Sequence, residues 1–199
     1  MVQIHLVDTD PAVVTAWQES FRPFPEVAVH EGDLLAVAEN AVVSPANGSG
    51  FMDGGIDRAY REFFGPGIEQ KVQGAIATRP EGHLPVGASL VVRTGHPRIP
   101  FLIVAPTMLM PEAVGPDACY RAMRAVLRLA GQDQEIGRPV YCPGLATGVG
   151  AVDPAVAARE MAAAYADWKG SRPRSAPKDR DTGASTPAST SPPSPRRSG

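Results

Sequence analysis

The chain has 199 residues, 43% of them hydrophobic, and a formal net charge of −2, enough for one domain with a sizeable buried core and not the make-up of a wholly disordered chain. No apolar run approaches the roughly 18 residues of a membrane span, and the N-terminus lacks the basic, apolar, small-residue order of a secretion signal, so the expectation is a cytoplasmic protein with no membrane partner. Cys119 and Cys142 have no CxxC spacing and no His/Cys cluster near them, which argues against a disulfide framework or a zinc site; no metal and no cofactor are expected.

Charge is unevenly placed. After Gly170 the stretch SRPRSAPKDRDTGASTPASTSPPSPRRSG holds six basic and two acidic residues and almost no large apolar ones. Such a segment buries too little surface to offset its ordering entropy, and the reading is a folded domain over 1–169 with a disordered tail over 170–199. The tail's +4 leaves −6 for residues 1–169 by subtraction from −2. A folded part that acidic speaks against nucleic acid as its main partner.

In chain order, VQIHLV (2–7) is a β-branched run, and Asp10-Pro11 after it supplies a helix N-cap and first helical residue. Val13, Val14, Trp17 and Phe21 then recur at helical spacing. VAVHEGDLL (27–35) and NAVVS (40–44) read as strands, DRAYREFFG and GIEQKVQGAIATR (57–79) as helices, and SLVVRTG and PFLIVAPT (89–107) as two strands across a polar turn. After Asp117, Met123, Val126, Leu127 and Ala130 form a helical stripe that Gly131 is placed to stop. PVYC (139–142) is a strand, and Asp153-Pro154 opens a last helix with Met161, Ala164, Tyr165 and Trp168 on its apolar side. The order βαββααββαβα implies an α/β fold, a three-layer α/β/α sandwich with a mixed central sheet.

Two segments share one design. In SPANGSGFMDGGID (44–57) and in PGLATGVGAV (143–152) a strand ends, a glycine-rich stretch follows and a helix begins. Backbone amides without Cβ obstruction, next to a helix N-terminus, favour phosphate, and two such loops suggest a diphosphate. Neither GxxxxGK(S/T) nor GxGxxG is present, so a P-loop or dinucleotide fingerprint is a poor match. The alternative is that these glycines only make tight turns.

Three ordered motifs, EGDLL (31–35), SPANGSGFMDGGID (44–57) and GLATGVG (144–150), resemble those of a macro domain, the ADP-ribose-binding module, over about residues 26–168. The resemblance implies that Asp33, with Leu34 beside it, accepts a hydrogen bond from the adenine amino group, a donor that an acceptor-only carboxylate suits. It implies that Asn47 meets the distal ribose, that Gly54, Gly55 and Ile56 lie beneath the ribose and diphosphate, and that Ala146, Thr147, Gly148, Val149 and Gly150 face them. The bland readings are that Asp33 caps a turn, that Asn47 is a turn residue and that Thr147 bonds its own backbone.

In macro domains that remove ADP-ribose from modified proteins an aspartate follows the glycine run, and Asp57 holds that place. With Asn47 it is the implied catalytic pair, Asp57 positioning or deprotonating a water that attacks the distal ribose. Equally, Asp57 is suited to the first turn of a helix, where its charge is favourable without catalysis. Two departures from the family pattern bear on the ligand. Asp53 replaces the first glycine of GGG, so either it points away, for example as a helix cap, or the pocket prefers a less charged ligand. No aromatic follows Val149, and Phe51 is positioned to supply that surface. Three functions stay open: a hydrolase of mono-ADP-ribosyl links on an ADP-ribosylated protein or of ADP-ribose derivatives, a non-catalytic reader of ADP-ribose or a related nucleotide, and a structural or assembly protein with an empty pocket.

Overall fold

The computed structural model describes residues 2–45 and 47–171. Its elements are β1 (Ile4–Asp8), α1 (Pro11–Ser20), β2 (Ala28–Glu31), α2 (Leu34–Val37), β3 (Ala41–Ser44), α3 (Gly55–Phe64), α4 (Gly67–Ala77), β4 (Leu90–Arg93), β5 (Phe101–Val104), α5 (Asp117–Gln132), β6 (Val140–Cys142) and α6 (Pro154–Gly170). The strands form one six-stranded sheet in the order β2-β1-β6-β3-β5-β4, parallel except that β4 runs antiparallel to β5. This is the mixed three-layer sandwich the alternation implies.

The two faces follow from the period-two alternation of strand side chains. Ile4 and Leu6 of β1, Ala41 and Val43 of β3, and Phe101 and Ile103 of β5 meet residues of α1, α5 and α6 on one face. Val7, Val42, Leu102, Val104 and Tyr141 meet α2, Tyr60 of α3 and Ile68, Val72 and Ile76 of α4 on the other. Strands buried on both faces read as unbroken apolar runs, as AVV and FLIV do. Asp10 and Asp153 cap α1 and α6 as their Asp-Pro pairs specify, accepting from the amides of Ala12 (2.8 Å) and of Ala155 and Val156 (2.9 and 3.1 Å).

Two elements differ from the sequence expectation. The strand drawn over 27–35 stops at Glu31, because Asp33 accepts from the Leu35 amide (2.9 Å) and starts the one-turn helix α2 instead. Gly131 does not itself end α5, which stops one residue later at Gln132; a Cβ at Gly131 would lie 3.4 Å from the Trp168 ring of α6, an ordinary contact distance. Both cysteines are buried, and burial raises the Cys119 thiol to about 12. His5 and His30, far apart in sequence, meet across β1 and β2 with Nδ1 and Nε2 3.1 Å apart. Among the described residues no helix is long and apolar enough to cross a membrane. Apart from Gly170, which ends α6, and Ser171, the segment read as a disordered tail lies outside the described residues.

Candidate functional site: a cleft at the strand ends

The loops after β1, β2, β3, β5 and β6 converge at the C-terminal edge of the parallel strands, the usual ligand position of an open α/β sheet, and enclose a cleft of about 720 Å³. Every residue singled out in the sequence lines it: Asp33, Leu34, Asn47, Gly54, Gly55, Ile56, Asp57, Ala146, Thr147, Gly148, Val149 and Gly150. Sequence reasoning missed Asp8, Asp10, Thr107, Met108 and Gly144, which line it too. Asp8 ends β1, outside the span of the resemblance; the signal that could have found it is that a polar residue closing a parallel strand faces the ligand edge. Its Oδ2 accepts from the Gly144 amide (3.1 Å) and its Oδ1 from the Asp10 amide (3.0 Å), which ties the first loop to the last.

Backbone amides dominate the cleft. Gly55, Ile56 and Asp57 are the first three residues of α3, whose amides have no carbonyl one turn back. The amides of Thr147, Gly148, Val149 and Gly150 likewise have no intramolecular acceptor among the described residues. Gly54 has an extended φ of −139°, and a Cβ on Gly54 or on Gly148 would meet nothing within 4 Å. Neither turn geometry nor packing therefore requires glycine at those two positions, and both leave the backbone open to the cleft. The turn-only reading explains other glycines: a Cβ on Gly48 would lie 2.7 Å from the Leu84 carbonyl oxygen, and one on Gly150 2.7 Å from that of Ala146.

The first glycine loop is held from several sides. Gly48 donates to the carbonyls of Met108 (2.9 Å) and Leu109 (3.1 Å), and its own carbonyl accepts from Leu84 (2.8 Å). The amide of the buried Met52 donates to Glu69 Oε1 of α4 (3.0 Å). Asn47 spends most of its amide inside the loop: Nδ2 donates to the Phe51 carbonyl (3.0 Å), and Oδ1 accepts from the amides of Ser49 (3.2 Å) and Phe51 (3.1 Å). That leaves one N–H of Nδ2 for a ligand. Across the cleft, Val114 donates to the Gly150 carbonyl (3.0 Å) and joins the β5–α5 loop to the second glycine loop.

Asp57 is 7% exposed and accepts a 2.5 Å hydrogen bond from Ser44 Oγ at the end of β3. Burial raises its carboxyl to about 7, against the opposing pull of the Ser44 hydroxyl. At neutral pH it is therefore poised between acid and base forms, the condition for proton transfer. Tyr60, one turn along α3, donates to the Val43 carbonyl (2.9 Å) and is held well above its ordinary pKa by burial and by the carboxylates near it, Asp57 first among them.

The lining holds five aspartates, Asp8, Asp10, Asp33, Asp53 and Asp57, and no lysine, arginine or histidine. Four of them are accommodated: Asp8 accepts two amides, Asp10 and Asp33 cap helices, and Asp57 is buried against the Ser44 hydroxyl with its carboxyl raised by burial. Asp53 differs. The N-cap of α3 is Gly54, so Asp53 does not cap that helix, and its exposed carboxylate has no partner among the described residues. An anion bound here is held by amides and helix N-termini rather than by cationic side chains.

Fold and cleft together define an α/β domain with an amide-lined cleft at its strand ends. The chain belongs to the macro domain family, whose profile, described as Macro domain, matches residues 43–161. An uncharacterized protein of Aquifex aeolicus (strain VF5) is 35% identical over 137 residues, 68% of this chain and 78% of that protein. The macrodomain of Mycobacterium tuberculosis DarG superposes with a TM-score of 0.60 at 22% identity, covering 69% of this chain and 88% of that one. Thermosipho africanus DarTG in complex with ADP-ribose gives a TM-score of 0.55 at 13% identity, covering 78% and 48%. At these identities the two solved structures establish the fold.

Proposed function

We propose that this macro domain binds ADP-ribose and hydrolyses the bond that joins the distal ribose C1″ to a protein side chain. The observation that carries the reading is the pairing of two runs of unsatisfied amides, at 55–57 and 147–150, with a buried carboxylate of pKa about 7 in the same cleft. The Thermosipho africanus protein, about half of whose length shares this fold, is seen with ADP-ribose, which supports the ligand class. In this reading the diphosphate lies between the two amide runs, the Asp33 carboxylate oxygen left free by its cap accepts from the adenine amino group, and the spare N–H of Asn47 meets the distal ribose.

For turnover, a water beside Asp57 bonds to C1″ and gives up its proton to the carboxylate, while the electron pair of the breaking bond leaves with the protein side chain. Ser44 holds the carboxylate in place. The test is release of free ADP-ribose from a mono-ADP-ribosylated protein by the full chain and by Asp57→Asn. Hydrolysis that Asp57→Asn abolishes while leaving ADP-ribose affinity within a few-fold supports the proposal, and unchanged turnover in that variant refutes the role of Asp57.

A second reading, a non-catalytic reader of ADP-ribose, is favoured by one observation: Asn47 commits three hydrogen bonds to its own loop, which suits a rigid receptor more than a participant in chemistry. Saturable ADP-ribose binding with no release from any modified protein would select it.

A further inference from the structure

Of the six large hydrophobic side chains exposed among the described residues, four gather at one end of the cleft. Phe51, Leu109, Met110 and Val149 are each 45–56% exposed. They come from three different loops, and hydrogen bonds between those loops hold them together. Leu109 lies over Gly48, where a Cβ would be 3.0 Å from its Cδ1, and Met110 Sδ is 3.7 Å from Ser49 Oγ. The link from Val114 to Gly150 brings in the loop that carries Val149. Leu109 and Met110 lie outside the cleft lining but adjoin the 47–51 loop, which is the end where the reading above puts the distal ribose. Scattered single apolar residues need no explanation; four on three hydrogen-bonded loops around one cleft form a collar that does.

Whatever is attached to C1″ leaves the cleft at that end and crosses this collar. Two exposed carboxylates adjoin the collar, Asp53 on the cleft wall and Glu112 after Pro111, and no cationic side chain lines the cleft. An apolar surface with unpartnered carboxylates repels a phosphate backbone and fits a polypeptide bearing apolar and basic side chains. We infer that Phe51, Leu109, Met110, Val149 and Asp53 form a docking surface for the polypeptide that carries the ADP-ribose, selecting modified sites flanked by apolar and basic residues. The inference rests on the ADP-ribose reading of the cleft and adds to it what lies on the far side of the scissile bond.

The experiment compares the full chain with Leu109→Ser/Met110→Ser and with Asp53→Asn. The ligands are free ADP-ribose, peptides ADP-ribosylated through one common linkage and differing only in flanking residues (Leu/Lys, Leu/Glu or Gly/Ser), and an ADP-ribosylated single-stranded oligonucleotide. The Leu/Lys peptide is expected to bind about tenfold more tightly than the Gly/Ser peptide, a margin of the size a small apolar patch supplies. Leu109→Ser/Met110→Ser should erase that margin with free ADP-ribose affinity within about twofold, and Asp53→Asn should erase the preference for Lys over Glu. Equal affinity for all three peptides, or tighter binding of the oligonucleotide, overturns the inference while leaving the cleft reading intact. Failure of free ADP-ribose to bind the unaltered chain overturns both.

Discussion

Ser44 Oγ donates a 2.5 Å hydrogen bond to Asp57 Oδ1, joining the last residue of β3 to the first turn of α3 beneath the amide-lined cleft. Burial pushes the Asp57 carboxyl up and this bond pulls it down, leaving it at about 7. Removing the hydroxyl leaves burial unopposed. In Ser44→Ala the pH profile of kcat/KM for ADP-ribose release should keep its shape, with the limb that lies near pH 7 displaced to higher pH. A profile displaced to lower pH, or not at all, would show that the hydroxyl does not stabilise the ionised form.

The same carboxyl makes stability depend on pH. Its folded value of about 7 lies above the ordinary 3.8, so between those limits the folded chain holds a proton that the unfolded chain has released. The stabilisation is complete below about pH 4, declines as pH rises and levels off above about pH 7, with a span on the order of 4 kcal/mol. Asp57→Asn lacks that titration and keeps an acceptor for Ser44. Its stability relative to the unaltered protein, from urea unfolding, should therefore rise between pH 4 and pH 7, whereas a constant difference across that window would place Asp57 in contact with water.

Gly148→Val tests why glycine is present where nothing in the protein requires it. A side chain there enters open space, so thermal stability should change little while the cleft loses the room a ligand needs. ADP-ribose affinity should fall by about a hundredfold or more, in line with loss of a close backbone contact to a charged group. A variant that binds normally would return Gly148 to the role of a turn residue.

Asp53 is the carboxylate of the cleft with no partner among the described residues, and the proposed ligand is an anion. Asp53→Asn should tighten binding of free ADP-ribose by about two- to fivefold, the scale of an exposed charge in water. Titrations at two salt concentrations should show the gain shrinking as salt rises. Weaker binding would mean that Asp53 accepts from or orients the ligand through contacts of its own.

What the sequence made legible and what it hid divide along physical lines. The glycine loops are local backbone devices, and their residues, from Gly54 to Asp57 and from Ala146 to Gly150, reach one cleft. Asp33 was legible twice, as a turn cap and as a lining residue, and it is both. Ser44 was invisible because its bond to Asp57 depends on how β3 hands the chain to α3, thirteen residues apart. Asp8 was invisible because β1 lies beside β6 in space, while 136 residues separate Asp8 from Gly144. The strand drawn through Asp33 was wrong because a side-chain cap outcompeted a ladder at the sheet's edge, and Gly131 falls one residue short of the end of α5, within the fraying of a helix terminus. The collar of Leu109 and Met110 is a matter of exposure, which no periodicity encodes.

The central claim is that the two amide runs form a cradle for a nucleoside diphosphate sugar, and titration calorimetry of the full chain with ADP-ribose tests it most directly, with AMP and ribose 5-phosphate as comparisons. Saturable one-to-one binding that prefers ADP-ribose over both fragments is the result expected. A folded protein that gives no heat with ADP-ribose would contradict the account, leaving the macro domain fold in place with a cleft that serves another ligand.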